Sequence, residues 1–184
     1  WWPSRVTTRY HNCEKIYFRD SCGDNDEVVV VTRVLDCGCG TGALAKLIGS
    51  QLSSFERSHT EFYGMDLTQG MLDVAKKENG KCYVQLKTAS MNNRWPFPDS
   101  HFHLVVCNGV MIYVKPALDV VQEYIRVTKV GGRCVIMIRE DNVKEWQPYL
   151  DSCEVNGSWK LIDLSPPAHN FAVDEDEESI NSTE

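Results

Sequence analysis

Apolar positions in this chain fall into short blocks that switch between two periods. Residues 28–35 (Val-Val-Val-Val-Thr-Arg-Val-Leu) are β-branched and almost continuous. A strand covered on both faces of a parallel sheet reads this way. Leu44, Leu47, Ile48 and Leu52 then recur at the spacing of one helix face. Phe62–Asp66 predicts a second strand, and Thr68 is placed to cap a helix striped by Met71, Leu72 and Ala75. Cys82–Leu86 predicts a third strand. Trp95-Pro96-Phe97-Pro98-Asp99 predicts an extended loop, because each proline drives the residue before it out of the helical region.

Leu104–Cys107 predicts a fourth strand, and Pro116 opens a helix carrying Leu118, Val121 and Ile125. Gly131-Gly132 turns into a fifth strand, Cys134–Ile138. Val143, Trp146 and Leu150 mark a last helix, and Trp159–Leu164 a sixth strand. Strands alternating with helices define an α/β domain with right-handed crossovers. The expected fold is a Rossmann-like, doubly wound, mainly parallel sheet of about six strands flanked by helices. Three segments are expected. Residues 1–27 are polar and weakly periodic, an N-terminal extension with at most a short helix. Residues 28–165 form the domain, and 166–184 form a disordered acidic tail.

Charge and cysteine content narrow the setting. The net charge is −7, and six of the acids lie in the last eleven residues. The rest of the chain is near neutral, so it has no basic footprint for a nucleic-acid backbone. No apolar run approaches the ~20 residues of a membrane helix, and the first residues show no apolar leader. Eight cysteines without a secretory leader read as reduced thiols, which places the chain in the cytoplasm or nucleus. His11, Cys13 and Cys22 lack a fourth ligand at sensible spacing, so no metal is expected.

The chemistry concentrates where the first strand ends. In Val34-Leu35-Asp36-Cys37-Gly38-Cys39-Gly40-Thr41-Gly42-Ala43-Leu44 an acid precedes alternating glycines and a helix. Bare backbone at such a turn admits a ligand that a Cβ would block. Gly38, Gly40 and Ala43 also satisfy a dinucleotide fingerprint. Asp36 decides between the two. A dinucleotide brings an anionic pyrophosphate to the helix N-terminus, which a carboxylate at the mouth of the turn repels. It suits a cationic ligand without phosphate, such as the methionine end of S-adenosylmethionine. Asp66, at the next strand end, is placed to accept both ribose hydroxyls of an adenosine.

These residues resemble motif I of the class I S-adenosylmethionine-dependent methyltransferases. Trp95–Val105 is similar to that family's Pro-Phe-Pro-Asp-x-x-Phe-Asp-Leu-Val element, and Gly131-Gly132-Arg133 to its Gly-Gly-x element. The resemblance implies S-adenosylmethionine held by Asp36, Gly38, Cys39, Gly40, Gly42, Asp66, Leu67, Met71, Ser90, Met91 and Asn108. Ser90 and Met91 stand where the family often has an acid for the adenine amino group. Asn108, Gly109 and Tyr113 would lie toward the acceptor. Two departures stand out. His103 replaces the Asp of Phe-Asp-Leu-Val and reads as an edge residue, not a catalyst. The antiparallel strand that normally follows the sixth is not evident.

The implied activity is methyl transfer to a small-molecule acceptor by a monomer, with no nucleic-acid or membrane partner. The transfer is an in-line displacement, so no residue is obliged to act as general base. The alternatives are a catalytically silent S-adenosylmethionine-binding module and a nicotinamide oxidoreductase, the latter disfavoured by Asp36.

Overall fold

The computed structural model describes residues 3–10, 31–164 and 168–169, with side chains over 31–162. Val28–Val30, His11, Cys13 and Cys22, from which no metal site is expected, and the acidic segment from 170 onward lie outside the described residues.

In chain order the elements are β1 (Pro3–Tyr10), β2 (Thr32–Cys37), α1 (Ala43–Gln51), α2 (Ser54–Ser58), β3 (Thr60–Asp66), α3 (Gln69–Asn79), β4 (Tyr83–Thr88), β5 (Phe102–Cys107), α4 (Leu118–Val127), β6 (Thr128–Arg139), α5 (Glu140–Val155), β7 (Lys160–Leu164) and β8 (Ala168–His169). The sheet runs β4-β3-β2-β5-β6-β1-β7, with β8 added to β1. Strands β2 to β6 are mutually parallel, and β1 runs antiparallel to both β6 and β7. The expected α/β class and parallel core are present. Among the described residues, no helix is long and apolar enough to cross a membrane.

Two findings amend the expected strands. First, residues 3–10, read from sequence as part of an extension, form a strand that fills the slot between β6 and β7. An antiparallel strand does stand beside the last parallel one, but it comes from the other end of the chain. Second, Gly131-Gly132 does not precede a strand; it lies within β6, which starts at Thr128. Phe102 faces Thr128 while Leu104 already faces Arg133, so the glycines sit in an irregularity of the ladder.

The sheet carries apolar side chains on both faces. Val34, Phe62, Ala45 and Val106 pack on the α1 side, with Leu44, Ile48 and Leu52 against them. Leu35, Cys37, Trp95, Phe102, Tyr124, Trp146 and Leu150 fill the opposite layer under α4 and α5. Alternation along β2 thus sends Val34 and Asp36 to one face and Leu35 and Cys37 to the other. Leu47 and Met71, expected on the buried stripes, are instead 60% and 46% exposed. The helical spacing was right, but each helix meets the sheet along a narrower stripe. Thr68 stands at the N-cap of α3 but makes no side-chain cap bond.

The Trp95–Asp99 loop is locked onto α4. Arg126 donates to the carbonyls of Trp95 (3.0 Å) and Phe97 (2.8 Å), to Asp99 (2.6 Å) and to Glu123. Glu123 in turn accepts the Trp95 amide at 2.7 Å. Burial alone would raise the Glu123 carboxyl, but the Arg126 hydrogen bonds, the Trp95 amide and the nearby arginine charges together outweigh it and hold it below the usual range. Trp95 and Phe97 are buried, Phe97 edge-on to Phe102. This motif is therefore a structural brace beside the site.

Candidate functional site

The carboxyl ends of β2, β3, β4 and β5 form one rim. Cys37 pairs with Met65 on one side and Cys107 on the other, and Asp66 pairs with Thr88. In an open parallel sheet the crevice at this rim, where the winding reverses between β2 and β5, is where a ligand fits.

The glycine turn after β2 is tied across the end of β3. The amides of Gly38 and Cys39 both donate to the Met65 carbonyl, at 2.8 and 3.0 Å, and Gly42 donates to Cys39 O at 2.8 Å. The three glycines serve different ends. A Cβ on Gly38 would come within 2.9 Å of Val110 Cβ, so this glycine admits the loop after β5. A Cβ on Gly42 would come within 2.8 Å of the Tyr83 ring. At Gly40, with φ +52°, a Cβ would point into open space. Gly40 is thus the glycine that faces a vacant approach.

Asp66 stands beside it. One carboxylate oxygen accepts the Gly40 amide at 2.9 Å, and the other accepts the Thr68 amide at 2.9 Å. A carboxylate has about four acceptor positions, so capacity remains for a ligand's hydroxyls. Leu67 and Met71 follow, 71% and 46% exposed, and give the rim an apolar shelf.

Asp36 lies beneath the turn and is 3% exposed. Tyr83 donates its hydroxyl to it at 2.9 Å. Burial pushes the Asp36 carboxyl up to about 6, the Tyr83 hydrogen bond opposes that rise, and the nearby Asp66 adds to it. At neutral pH the group is mainly ionised, a negative charge in a poorly solvated position. Cys39, also buried, has its thiol pushed up to about 12 by desolvation and then by Asp36, so it is a neutral packing group.

The remaining expected residues divide. Ser90 is partly buried, and its hydroxyl accepts the Asn92 amide at 3.2 Å. The Met91 side chain is buried in the core, and its carbonyl accepts the Trp95 indole N–H at 3.2 Å; this makes it a poor lining side chain. Asn108 and Gly109 are exposed at the end of β5. Tyr113 is 80% exposed, so it is not a packing aromatic within the described fold. His103 sits near the start of β5, away from the rim. Its Nδ1 accepts the Arg33 amide at 2.9 Å, and burial, then Lys129 and Arg33, lower its proton affinity. It is a satisfied structural histidine. Sequence reasoning missed Tyr83 and Val110. Tyr83 lies 47 residues from its partner Asp36, and no local pattern links them.

Residues 34–132, more than half of the chain, match the methyltransferase domain family, and the chain belongs to it. A demethylmenaquinone methyltransferase of Symbiobacterium thermophilum is 32% identical over 107 residues, covering 56% of this chain and 41% of that protein. A ubiquinone biosynthesis O-methyltransferase of Vibrio cholerae is 28% identical over 137 residues, covering 73% of this chain and 51% of that one. The chain thus spans about half or less of the length of these relatives. Among solved structures, one assigned to the S-adenosyl-L-methionine-dependent methyltransferases of Methanococcus maripaludis superposes with a TM-score of 0.58 at 17% identity, covering 78% of this chain and 81% of that one. That likeness supports the fold.

Proposed function

We propose that this chain binds S-adenosylmethionine at the β2–β3–β5 rim and transfers its methyl group to a small-molecule acceptor. The observation that carries the reading is the pairing of Gly40, open to approach, with the Asp66 carboxylate anchored 2.9 Å from its amide. The residues present fit the cofactor. Asp66 would take the ribose hydroxyls. Leu67 and Met71 would lie against the adenine. Ser90 would offer a hydroxyl near its edge. The buried negative charge of Asp36 would favour the cationic methionine end and disfavour a pyrophosphate. When bound, S-adenosylmethionine supplies an electrophilic methyl carbon with a neutral thioether as leaving group. The chain's own part is then orientation and exclusion of water. Asn108, Gly109 and Tyr113 lie on the acceptor side.

The named relatives are a demethylmenaquinone methyltransferase and a ubiquinone biosynthesis O-methyltransferase, which differ in acceptor, so neither acceptor is carried over from them. Within the family, the Val127–Gly132 run and the Met71–Ala75 segment resemble the methyltransferase-like protein encoded in the Williams–Beuren syndrome region. A silent binding module is the second reading, favoured by the wide exposure of Tyr113.

The test is calorimetric titration with S-adenosylmethionine, S-adenosylhomocysteine and NADH, followed by methyl-transfer assays on phenolic and quinol acceptors. Binding of the two adenosyl ligands without NADH supports the cofactor reading. NADH binding as tight or tighter overturns it. Binding with no transfer to any acceptor favours the silent module.

A further inference from the structure

Tyr83 comes from the edge strand β4 and reaches under the glycine turn. Its hydroxyl donates to Asp36 at 2.9 Å. Its ring is wedged between two glycines on separate elements. A Cβ on Gly42 would lie 2.8 Å from Tyr83 Cε2, and one on Gly64 would lie 3.0 Å from Tyr83 Cε1. Gly64 sits in β3 directly across from Asp36. Two residues of the site's floor are thus shaped around this side chain, Asp36 by a hydrogen bond and Gly42 by the missing Cβ, and Gly64 is kept bare by Tyr83 together with Leu86 and Cys39.

The electrostatic surroundings give that hydrogen bond a purpose. The groups that interact with Asp36 are Tyr83 from β4, Asp66 from the end of β3, Cys39 from the turn, Cys37 from β2 and Cys107 from β5. These are one carboxylic acid, one neutral phenol and neutral thiols, and none is a cation. Among the described residues, no ion pair reaches Asp36. A buried carboxylate without a cation needs donors to stay ionised, and Tyr83 provides one. The Tyr83 hydroxyl itself is pushed far up, by burial and then by Asp36, so it remains a donor.

We propose that Tyr83 is a positioning residue of the cofactor site, keeping Asp36 charged beneath the glycine turn so that the site selects the ammonium-bearing end of its ligand. The inference rests on the S-adenosylmethionine reading above. It concerns the full chain's preference between two adenosine ligands. S-adenosylhomocysteine carries an ammonium, whereas 5′-methylthioadenosine has the same adenosine and thioether without it.

The experiment is titration of both ligands into the wild type, Tyr83→Phe and Asp36→Asn between pH 5.5 and 8.5. In the wild type, S-adenosylhomocysteine affinity falls as pH drops through about 6, while 5′-methylthioadenosine affinity stays level. Tyr83→Phe moves the fall upward by about 1–2 pH units, the effect of one hydrogen bond to a charged group. It leaves 5′-methylthioadenosine unchanged. Asp36→Asn abolishes the pH dependence. A purely structural Tyr83 would weaken both ligands equally at every pH, and that result overturns the proposal.

Should Tyr83→Phe not fold, the wild type still decides. Titration in buffers of different ionisation heat should show proton release on S-adenosylhomocysteine binding near pH 6 and none at pH 8; no release at pH 6 overturns the proposal. Wild type that binds S-adenosylhomocysteine, paired with an unshifted Tyr83→Phe profile, overturns this inference alone. Wild type that binds neither ligand overturns the cofactor reading as well.

Discussion

The Asp66 carboxylate and the Gly40 amide, 26 residues apart in sequence, are joined by a 2.9 Å hydrogen bond that closes the glycine turn onto the end of β3. The acid proposed to hold the ribose therefore also holds the backbone the cofactor must approach. Its second oxygen holds the amide of Thr68, the residue at the N-cap of α3.

Asp66→Ala should consequently act twice. Two backbone amides lose an ionised acceptor, so the protein without ligand should lose about 1–3 kcal/mol of stability. Cofactor affinity should fall by a further ~1.5–3 kcal/mol, the range for hydrogen bonds to a charged group. Chemical denaturation and calorimetry on the same preparations separate the two effects. A variant that binds normally would remove Asp66 from the site.

The glycines should respond unequally to alanine. Gly40→Ala places a methyl in open space at a φ of +52°, so it should fold with a loss of about 1 kcal/mol and bind cofactor at least tenfold more weakly. Gly38→Ala and Gly42→Ala force a methyl into Val110 and Tyr83 at positive φ, and each should cost about 2–4 kcal/mol of stability. Melting curves rank the three, and the order Gly40 least affected is the expected result. Equal losses would mean that the turn is not differentiated in this way.

Asp36 should make the ligand-free protein less stable as pH rises. Its folded-state carboxyl titrates at about 6 against an ordinary value of 3.8. Between those values the folded state binds more protons than the unfolded one, so stability falls with rising pH and levels off above about 6. The shift corresponds to a cost of about 3 kcal/mol at neutral pH. Asp36→Asn should therefore melt later than the wild type at pH 7, by ~1–3 kcal/mol, with the difference shrinking toward pH 4. The same variant should bind S-adenosylhomocysteine less well. Urea titrations of both proteins at several pH values measure this, and a variant less stable at pH 7 would contradict it.

Removing residues 1–10 should damage the fold. Strand β1 pairs with β6 along Ser4–Tyr10 and with β7 along Thr7–Tyr10. Its loss leaves two facing strand edges unpaired, which invites association with other chains. The truncated protein should melt roughly 5–10 °C lower or aggregate on concentration, as light scattering during a melt would reveal. A truncation with wild-type melting would show that β6 and β7 do not depend on this strand.

Much of this protein could be read from local pattern. The switch between periods located β2 to β7 and helices α1, α3, α4 and α5, because burial on both faces of a parallel sheet forces continuous apolar runs and amphipathic partners, but it missed the short α2 and the first six residues of β6. The glycine turn was visible because backbone with φ near +50° to +85° selects glycine whatever surrounds it. Asp36 and Asp66 were visible because the ends of parallel strands converge on one rim.

What tertiary structure decided is every pairing between distant residues. Val6, Thr8 and Tyr10 alternate with Arg5, Thr7 and Arg9, a pattern too short and polar to claim a place in a sheet. It becomes β1 only because β6 and β7 leave a slot. The Trp95–Asp99 motif owes its shape to Arg126 on α4. Leu47 and Met71 carry the right spacing, yet the folded protein leaves them exposed. Tyr83 looked like one residue of a strand; its hydrogen bond to Asp36 exists because β2, β3 and β4 lie side by side. Periodicity records which face of an element is covered, and it carries no record of which distant side chain does the covering.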